Sequence, residues 1–311
     1  MRIYRNLSEV AKSENTILTL GTFDGVHLGH KKIIEKLKKK AVSSNCRNFL
    51  ITFTPHPRNV ISGKVDVNLL TTTEEKIALF EQAGIENLLI VSFTPEFSQL
   101  SSEKFFKEYI IEKIGIKEII VGFDHHFGKG RSGDVNTLRK MGIEFGFDVT
   151  TVEAFKINGE AVNSTKIRKS LASGDIKSAT SYLGRKYEFS GVVVRGDQRG
   201  RKLGFPTANI KLDGEEKLLP SLGIYAVEFM FDDEIHKGLL SIGIRPTFYD
   251  SGNIIPEVYL YDFDRDIYDK NVTVRIIDWI RGEEKFPSAE ALVEQMHKDK
   301  IKGLEIFKKA S

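Results

Sequence analysis

Short, nearly uninterrupted apolar runs alternate with helically periodic segments from the N-terminus to about Gly184. The runs Ile17–Leu20, Phe49–Phe53, Leu88–Phe93, Glu118–Gly122 and Phe147–Val152 predict strands covered on both faces. Between them, Lys31–Ala41 sets Ile33, Ile34, Leu37 and Ala41 on one helical face. Thr73–Ala83 opens with a threonine cap and two glutamates, ahead of Ile77, Leu79 and Phe80. Ser101–Ile114 repeats that layout with Phe105, Phe106, Tyr109 and Ile110. Such alternation predicts an α/β doubly wound parallel sheet, with ligands beyond the carboxyl ends of its strands. From Tyr187 the pattern changes to short β runs: Phe189–Val194, Ile224–Phe231, Ile235–Ser241, Glu257–Leu260 and Val272–Trp279. Asp213-Gly214 and Ser251-Gly252-Asn253 punctuate them as turns, so an antiparallel β-barrel is expected. A last helix opens at Pro287-Ser288-Ala289-Glu290. The expected domains are 1–183 and 184–311, divided just after a helical Ile176–Leu183.

Composition adds bounds. The 311 residues suit two domains, and 41% hydrophobic with 29% charged content suits ordinary globular cores. The net charge of +3, from 46 basic and 43 acidic residues, gives no argument for a nucleic-acid or membrane partner. The basic run Lys36–Lys40 reads as the solvated face of a helix. Cys46 is the one cysteine, which excludes an internal disulfide and fits a cytoplasmic location. No signal-peptide core and no bilayer-length apolar stretch is expected from the pattern. The sequence leaves the oligomeric state open.

The first strand leads into Gly21-Thr22-Phe23-Asp24-Gly25-Val26-His27-Leu28-Gly29-His30, and a helix leads out. Glycines allow close backbone approach, and a helix start presents free N–H groups to phosphate. His27 and His30 add donors. A metal pair is the alternative, but no cluster at ligand spacing completes it. Two histidines packed by chance is another reading, set against their context. Five of the seven histidines, His27, His30, His56, His125 and His126, fall in loops following predicted strands. In Phe53-Thr54-Pro55-His56-Pro57, the prolines stiffen a turn that aims His56, or form a plain exit turn. Gly122–Gly128 offers Asp124 and aromatics suited to a planar heterocycle, and Lys129–Asp134 is a basic loop able to reach phosphate. Asn163-Ser164-Thr165-Lys166-Ile167-Arg168 begins a helix. Ser164 or Thr165 serves there as an N-cap, or joins Arg168 in a second phosphate cradle.

In the C-terminal half, Gly200-Arg201-Lys202-Leu203-Gly204-Phe205-Pro206-Thr207-Ala208-Asn209 follows the first barrel strand. In extended chain Thr207 and Asn209 face one way, each offering a neutral oxygen to a Mg²⁺ that bridges ATP phosphates. A glycine-rich hairpin loop is the other reading. Glu257 opens an apolar strand and is either a general base or a surface charge.

Taken together, these motifs resemble those of the bacterial bifunctional riboflavin kinase/FAD synthetases. Gly21–His30 resembles the nucleotidyltransferase signature with its His-x-Gly-His core, and Ser164–Arg168 its second phosphate motif. Gly204-Phe205-Pro206-Thr207-Ala208-Asn209 resembles the riboflavin kinase motif, and Glu257-Val258-Tyr259-Leu260 the strand of its base. Ser241-Ile242-Gly243-Ile244-Arg245-Pro246-Thr247 is also similar, with Ser241 where Asn is usual. Asp269 stands for a usual Gly, and Asn163 for a usual Ser. The resemblance implies that riboflavin is phosphorylated to FMN in the barrel, and that FMN receives AMP from ATP in the N-terminal domain. It implies that His27 and His30 contact ATP phosphates within the Gly21, Phe23, Asp24 and Gly25 loop. Ser164, Thr165 and Arg168 would hold the leaving pyrophosphate. Asp124, His56 and Pro57 would position flavin and nucleotide. Gly204, Pro206, Thr207 and Asn209 would bind MgATP, with Thr207 and Asn209 on the metal. Glu257 would take the ribityl proton, and Arg281 is a further candidate flavin contact. The rivals are a nucleotidyltransferase for another phosphate-bearing cofactor and a non-catalytic flavin- or RNA-binding regulator.

Overall fold

The computed structural model describes residues 1–196, 200, 203–214, 216–244 and 254–310. The Arg201-Lys202 pair, Arg245-Pro246-Thr247, the Ser251-Gly252-Asn253 turn and Ser311 lie outside them. The chain forms two compact units, Met1–Ser164 and Thr165–Ser311.

In the first unit, strands β1 (Arg2–Tyr4), β2 (Thr16–Leu20), β3 (Arg47–Thr54), β4 (Asn87–Ser92), β5 (Glu118–Gly122) and β6 (Asp148–Val152) make one parallel sheet. Their order is β1-β4-β3-β2-β5-β6. Successive side chains leave opposite faces of a strand. Leu18, Leu20, Phe49, Ile51, Ile119 and Val121 thus enter one core layer with Phe105, Phe106 and Leu138. Ile17, Leu50, Leu88, Ile90 and Ile120 enter the other with Ile34, Leu37 and Phe80. Cover on both faces is why these strands read as continuous apolar runs. The sheet order reverses between β2 and β5, so the loops after those two strands meet at the switch point where such folds bind ligands.

Three helices near that edge matter: α1 (Leu28–Ser43), α2 (Pro57–Ser62) and α3 (Thr73–Gln82). The start of α1 is three residues earlier than its apolar periodicity suggests, because His27 caps it. The helix α2 replaces the expected turn: Pro57 occupies its first turn and Gly63, at φ +67°, ends it. The Ser101–Ile114 segment is an α-helix over Ser102–Phe105 that continues as a π-helix over Phe106–Ile114.

Two short antiparallel strands, β7 (Lys156–Ile157) and β8 (Glu160–Ala161), follow the parallel sheet; in the second unit, β9 (Glu188–Val194), β10 (Thr207–Leu212), β11 (Gly223–Phe231), β12 (Glu234–Ile244), β13 (Ile254–Leu260) and β14 (Asn271–Arg281) close an antiparallel barrel. Phe189, Tyr225, Val227, Phe229, Leu240, Val258, Val274 and Ile276 are fully buried. The C-terminal helix, Ala289–Ala310, brings Phe307 into a cluster with Leu239, Tyr261 and Ile280. Five barrel strands follow the hydrophobic pattern. The sixth, β10, does not, because its Thr-Ala-Asn start lacks an apolar run, and only pairing with β9 and β13 makes it a strand.

The helices Ser164–Ala172 and Ile176–Leu183 also belong mainly to this unit. The Ser221 amide donates to the Leu171 carbonyl at 3.0 Å, and Lys177 pairs with Asp278 at 3.6 Å. Ile176, Ala179 and Leu183 are buried. Compactness therefore divides the chain after Ser164, ahead of the expected border at Gly184.

Candidate active sites

From β2 the chain enters a loop whose backbone is strained. Phe23 lies at φ +47°, Gly25 at +82° and Val26 at +38°. A β-branched residue tolerates the left-handed region poorly, so surrounding contacts must hold it. Asp24 supplies them. Its buried carboxylate accepts from the Leu70 amide at 3.0 Å and the Thr71 amide at 3.1 Å. Thr71 Oγ1 in turn accepts from the Gly25 amide at 2.9 Å. The Asp24 side chain thus shapes the loop from within and is turned toward the Leu70–Thr71 segment.

His27 closes the loop as the N-cap of α1, its Nδ1 accepting from the His30 amide at 3.3 Å. With Nδ1 as acceptor, a neutral His27 carries its proton on Nε2. The two imidazoles stack with centroids 3.6 Å apart, and Phe23 meets His30 edge-on. A Cβ on Gly29 would sit 3.1 Å from the His27 ring, so glycine makes the room for that ring. Burial, reinforced by the nearby His27 and Lys76, holds His30 well below the ordinary histidine range. Its Nδ1 is buried without a hydrogen-bond partner. The two stacked rings thus sit at a helix start, His30 held toward its neutral form, in a place able to donate to a polyphosphate.

Ser164 joins this loop: its hydroxyl donates to the Asp24 carbonyl at 3.0 Å. Two motifs far apart in sequence are thereby pinned together. Thr165 is exposed, and Arg168 is half-buried one turn beyond Ser164 on its helix. At the end of β3, His56 caps α2 through its Nδ1, which accepts from the Arg58 amide at 3.2 Å, and Pro57 follows it. Asp124 is exposed just beyond β5. Its neighbour His125 stacks on Phe127, and burial first, then His126 and Arg131, push it down to about 4. Lys76 of α3 escaped the sequence reading. It is only 7% exposed, and its Nζ donates to the Thr22 and Phe53 carbonyls at 3.4 and 3.5 Å. The signal was its four-residue spacing from the buried Phe80.

In the barrel, β10 and β13 pair Asn209 with Glu257, and β12 and β13 pair Ser241 with Glu257. Thr207 Oγ1 donates to Glu257 Oε2 at 3.0 Å. Asn209 is buried, and a Cβ on Gly196 would lie 2.3 Å from its Nδ2. Glycine there leaves space for the amide. Gly204, at φ +81°, and Pro206 bend the chain into β10, and Phe205 packs on Tyr259 and His297. The turn closes through Gly200, whose carbonyl accepts from the Leu203 and Phe205 amides. Arg281 is turned to the C-terminal helix: it pairs with the buried Asp299 at 2.8 Å and lies over Phe286. Among the described residues no group of three or more His, Cys, Asp or Glu side chains is arranged to hold a metal ion. Nor is any described helix long and apolar enough to cross a membrane.

A parallel α/β unit with this histidine-capped loop, followed by a closed six-stranded barrel, defines a nucleotidyltransferase-like domain joined to a kinase-type barrel. The FAD synthetase family matches residues 9–166 and the riboflavin kinase family residues 183–307. The chain belongs to the family of bifunctional riboflavin kinase/FMN adenylyltransferases. A relative of that name in Listeria monocytogenes is 37% identical, over 92% of this chain and 90% of its own. Another, in Bacillus subtilis, is 36% identical over 96% of this chain and 94% of its own. A crystal structure from Streptococcus pneumoniae, described as a macrolide-efflux protein, is 29% identical with a TM-score of 0.86 over 96% of each chain.

Proposed function

We propose that this chain makes both flavin cofactors: the barrel phosphorylates riboflavin to FMN, and the α/β domain adenylylates FMN to FAD. The observation that carries the reading is the Thr207–Asn209–Glu257 cluster on paired barrel strands, in one chain with the His27-capped loop. In the barrel, Glu257 takes the proton of the ribityl hydroxyl. That oxygen bonds to the γ-phosphorus of ATP while the bond to ADP breaks. Thr207 and Asn209 offer neutral oxygens, and the hydroxyl already oriented on Glu257 fits an oxygen-only site for Mg²⁺. When bound, Mg²⁺ supplies charge neutralisation on the phosphates. Gly204 and Pro206 shape the turn that presents both residues.

In the α/β domain, an FMN phosphate oxygen attacks the α-phosphorus of ATP and pyrophosphate leaves. The loop Gly21–Gly25 brings backbone close to the polyphosphate, and His27 and His30 donate to it. Ser164, Thr165 and Arg168 hold the leaving group. His56, Pro57 and Asp124 border nucleotide and flavin. The functional domains run 1–183 and 184–311, so the first includes both phosphate motifs. Riboflavin, FMN and ATP are the substrates, with no nucleic-acid or membrane partner, and the cytoplasm is the working compartment.

The test is incubation with riboflavin, ATP and Mg²⁺, followed by chromatographic separation of flavins. FMN and FAD should both accumulate; neither appearing would refute the assignment. Use of another phosphate-bearing acceptor, with no flavin converted, would favour the alternative nucleotidyltransferase.

A further inference from the structure

Lys76 is a buried cation that the mechanism above does not use. It lies on α3, four residues before the fully buried Phe80, where the helix turns its apolar face to the sheet. A lysine there costs desolvation, and an apolar residue would be the cheaper occupant. No ion pair to it is formed among the described residues; the Asp24 and Glu74 carboxylates act on it only at longer range, where they favour its charged form against the cost of burial. Its ammonium has three N–H donors, and the two carbonyls it meets are at long distances, 3.4 Å to Thr22 and 3.5 Å to Phe53.

Those two carbonyls are informative. Thr22 opens the strained loop, and Phe53 ends the neighbouring strand β3. The Thr22 carbonyl also accepts from Thr52 Oγ1 at 3.1 Å. The ammonium thus sits at the carboxyl ends of β2 and β3, at the start of the loop in which Phe23 and Val26 adopt left-handed conformations. The charge reaches His30 as well, since Lys76 is one of the groups that disfavour the imidazolium there.

We propose that Lys76 is a positioning residue of the adenylylation site: it ties the Thr22 and Phe53 carbonyls and supplies fixed positive charge behind the polyphosphate loop. Loop and charge are then ready before ATP arrives, which is electrostatic preorganisation. The inference rests on the adenylylation reading above.

Steady-state FMN-to-FAD conversion and its pyrophosphorolytic reversal test it on the full chain. With Lys76→Met, KM for ATP and KM for pyrophosphate are expected to rise about tenfold, as for losing one charge in a partly screened site. KM for FMN should change little, and riboflavin phosphorylation should be unaltered. Lys76→Gln keeps a donor for the carbonyls without the charge and should raise the same two constants. A folded Lys76→Gln protein with ATP and pyrophosphate constants like the parent would overturn the proposal. So would an equal rise in all three constants, which marks a packing role. A parent protein that makes no FAD from FMN would instead refute the adenylylation reading, independently of Lys76.

Discussion

Single side chains carry three expectations. Glu257→Gln keeps size and polarity but removes the base. Riboflavin phosphorylation should fall at least about a hundredfold. Conversion of added FMN to FAD should persist, and parallel loss in a folded variant would contradict separate sites. Gly29→Ala places a methyl group 3.1 Å from the His27 ring. The ring must give by a few tenths of an ångström against its stack with His30, so adenylylation should drop up to about tenfold while FMN formation holds. A pH effect follows from His125. It is held at about 4 in the fold, against an ordinary value of 6.5. Between those limits the unfolded chain binds the extra proton and the folded one does not, so stability falls as pH drops from 6.5 to 4. His30 is shifted in the same direction and adds to the slope. Thermal melts of His125→Phe should therefore show a shallower loss across that window than the parent. An unchanged slope would remove His125 from the account.

At the level of elements, the C-terminal helix is bound to the barrel by polar as well as apolar contacts. Arg281 of β14 pairs with Asp299, Gln295 also donates to that carboxylate at 2.9 Å, and Tyr261 donates to the Lys300 carbonyl. Asp299→Ala strands a largely buried guanidinium, a change worth about 3–5 kcal/mol. The barrel unit should melt earlier by calorimetry. Removing 288–311 also uncovers Leu239, Tyr261 and Ile280. Riboflavin phosphorylation should suffer more than adenylylation, and an intact kinase after truncation would refute the dependence. Legibility differs between elements for a physical reason. Strands β2 to β5 were plain because both sheet faces are covered, and α3 because Thr72 and Glu75 form a capping box. β10 was not, because it owes its strand state to partners remote in sequence. β1 was hidden by its length of three residues.

For the whole molecule, the two ways of dividing the chain give opposite experiments. Cutting after Ser164 keeps Ile176–Leu183 on the barrel but splits the Asn163–Arg168 motif. The fragment 165–311 should phosphorylate riboflavin, and 1–164 should make no FAD. Cutting after Leu183 keeps the phosphate motifs together but strips buried Ile176, Ala179 and Leu183 from the barrel fragment. That fragment, 184–311, should be less stable than 165–311 in denaturant. What the sequence determined alone was local: helix caps, apolar runs, turn residues and the short motifs around His27, Ser164, Thr207 and Glu257. Each depends on neighbours within a few residues, so spacing reveals it. The tertiary structure decided which of those residues work on one another. It turned Asp24 to Leu70 and Thr71, tied Ser164 to the Asp24 carbonyl, buried Lys76 behind the loop and bound Arg281 to Asp299. These are contacts between distant parts of the chain. Only strand register and helix packing bring such parts within hydrogen-bonding distance.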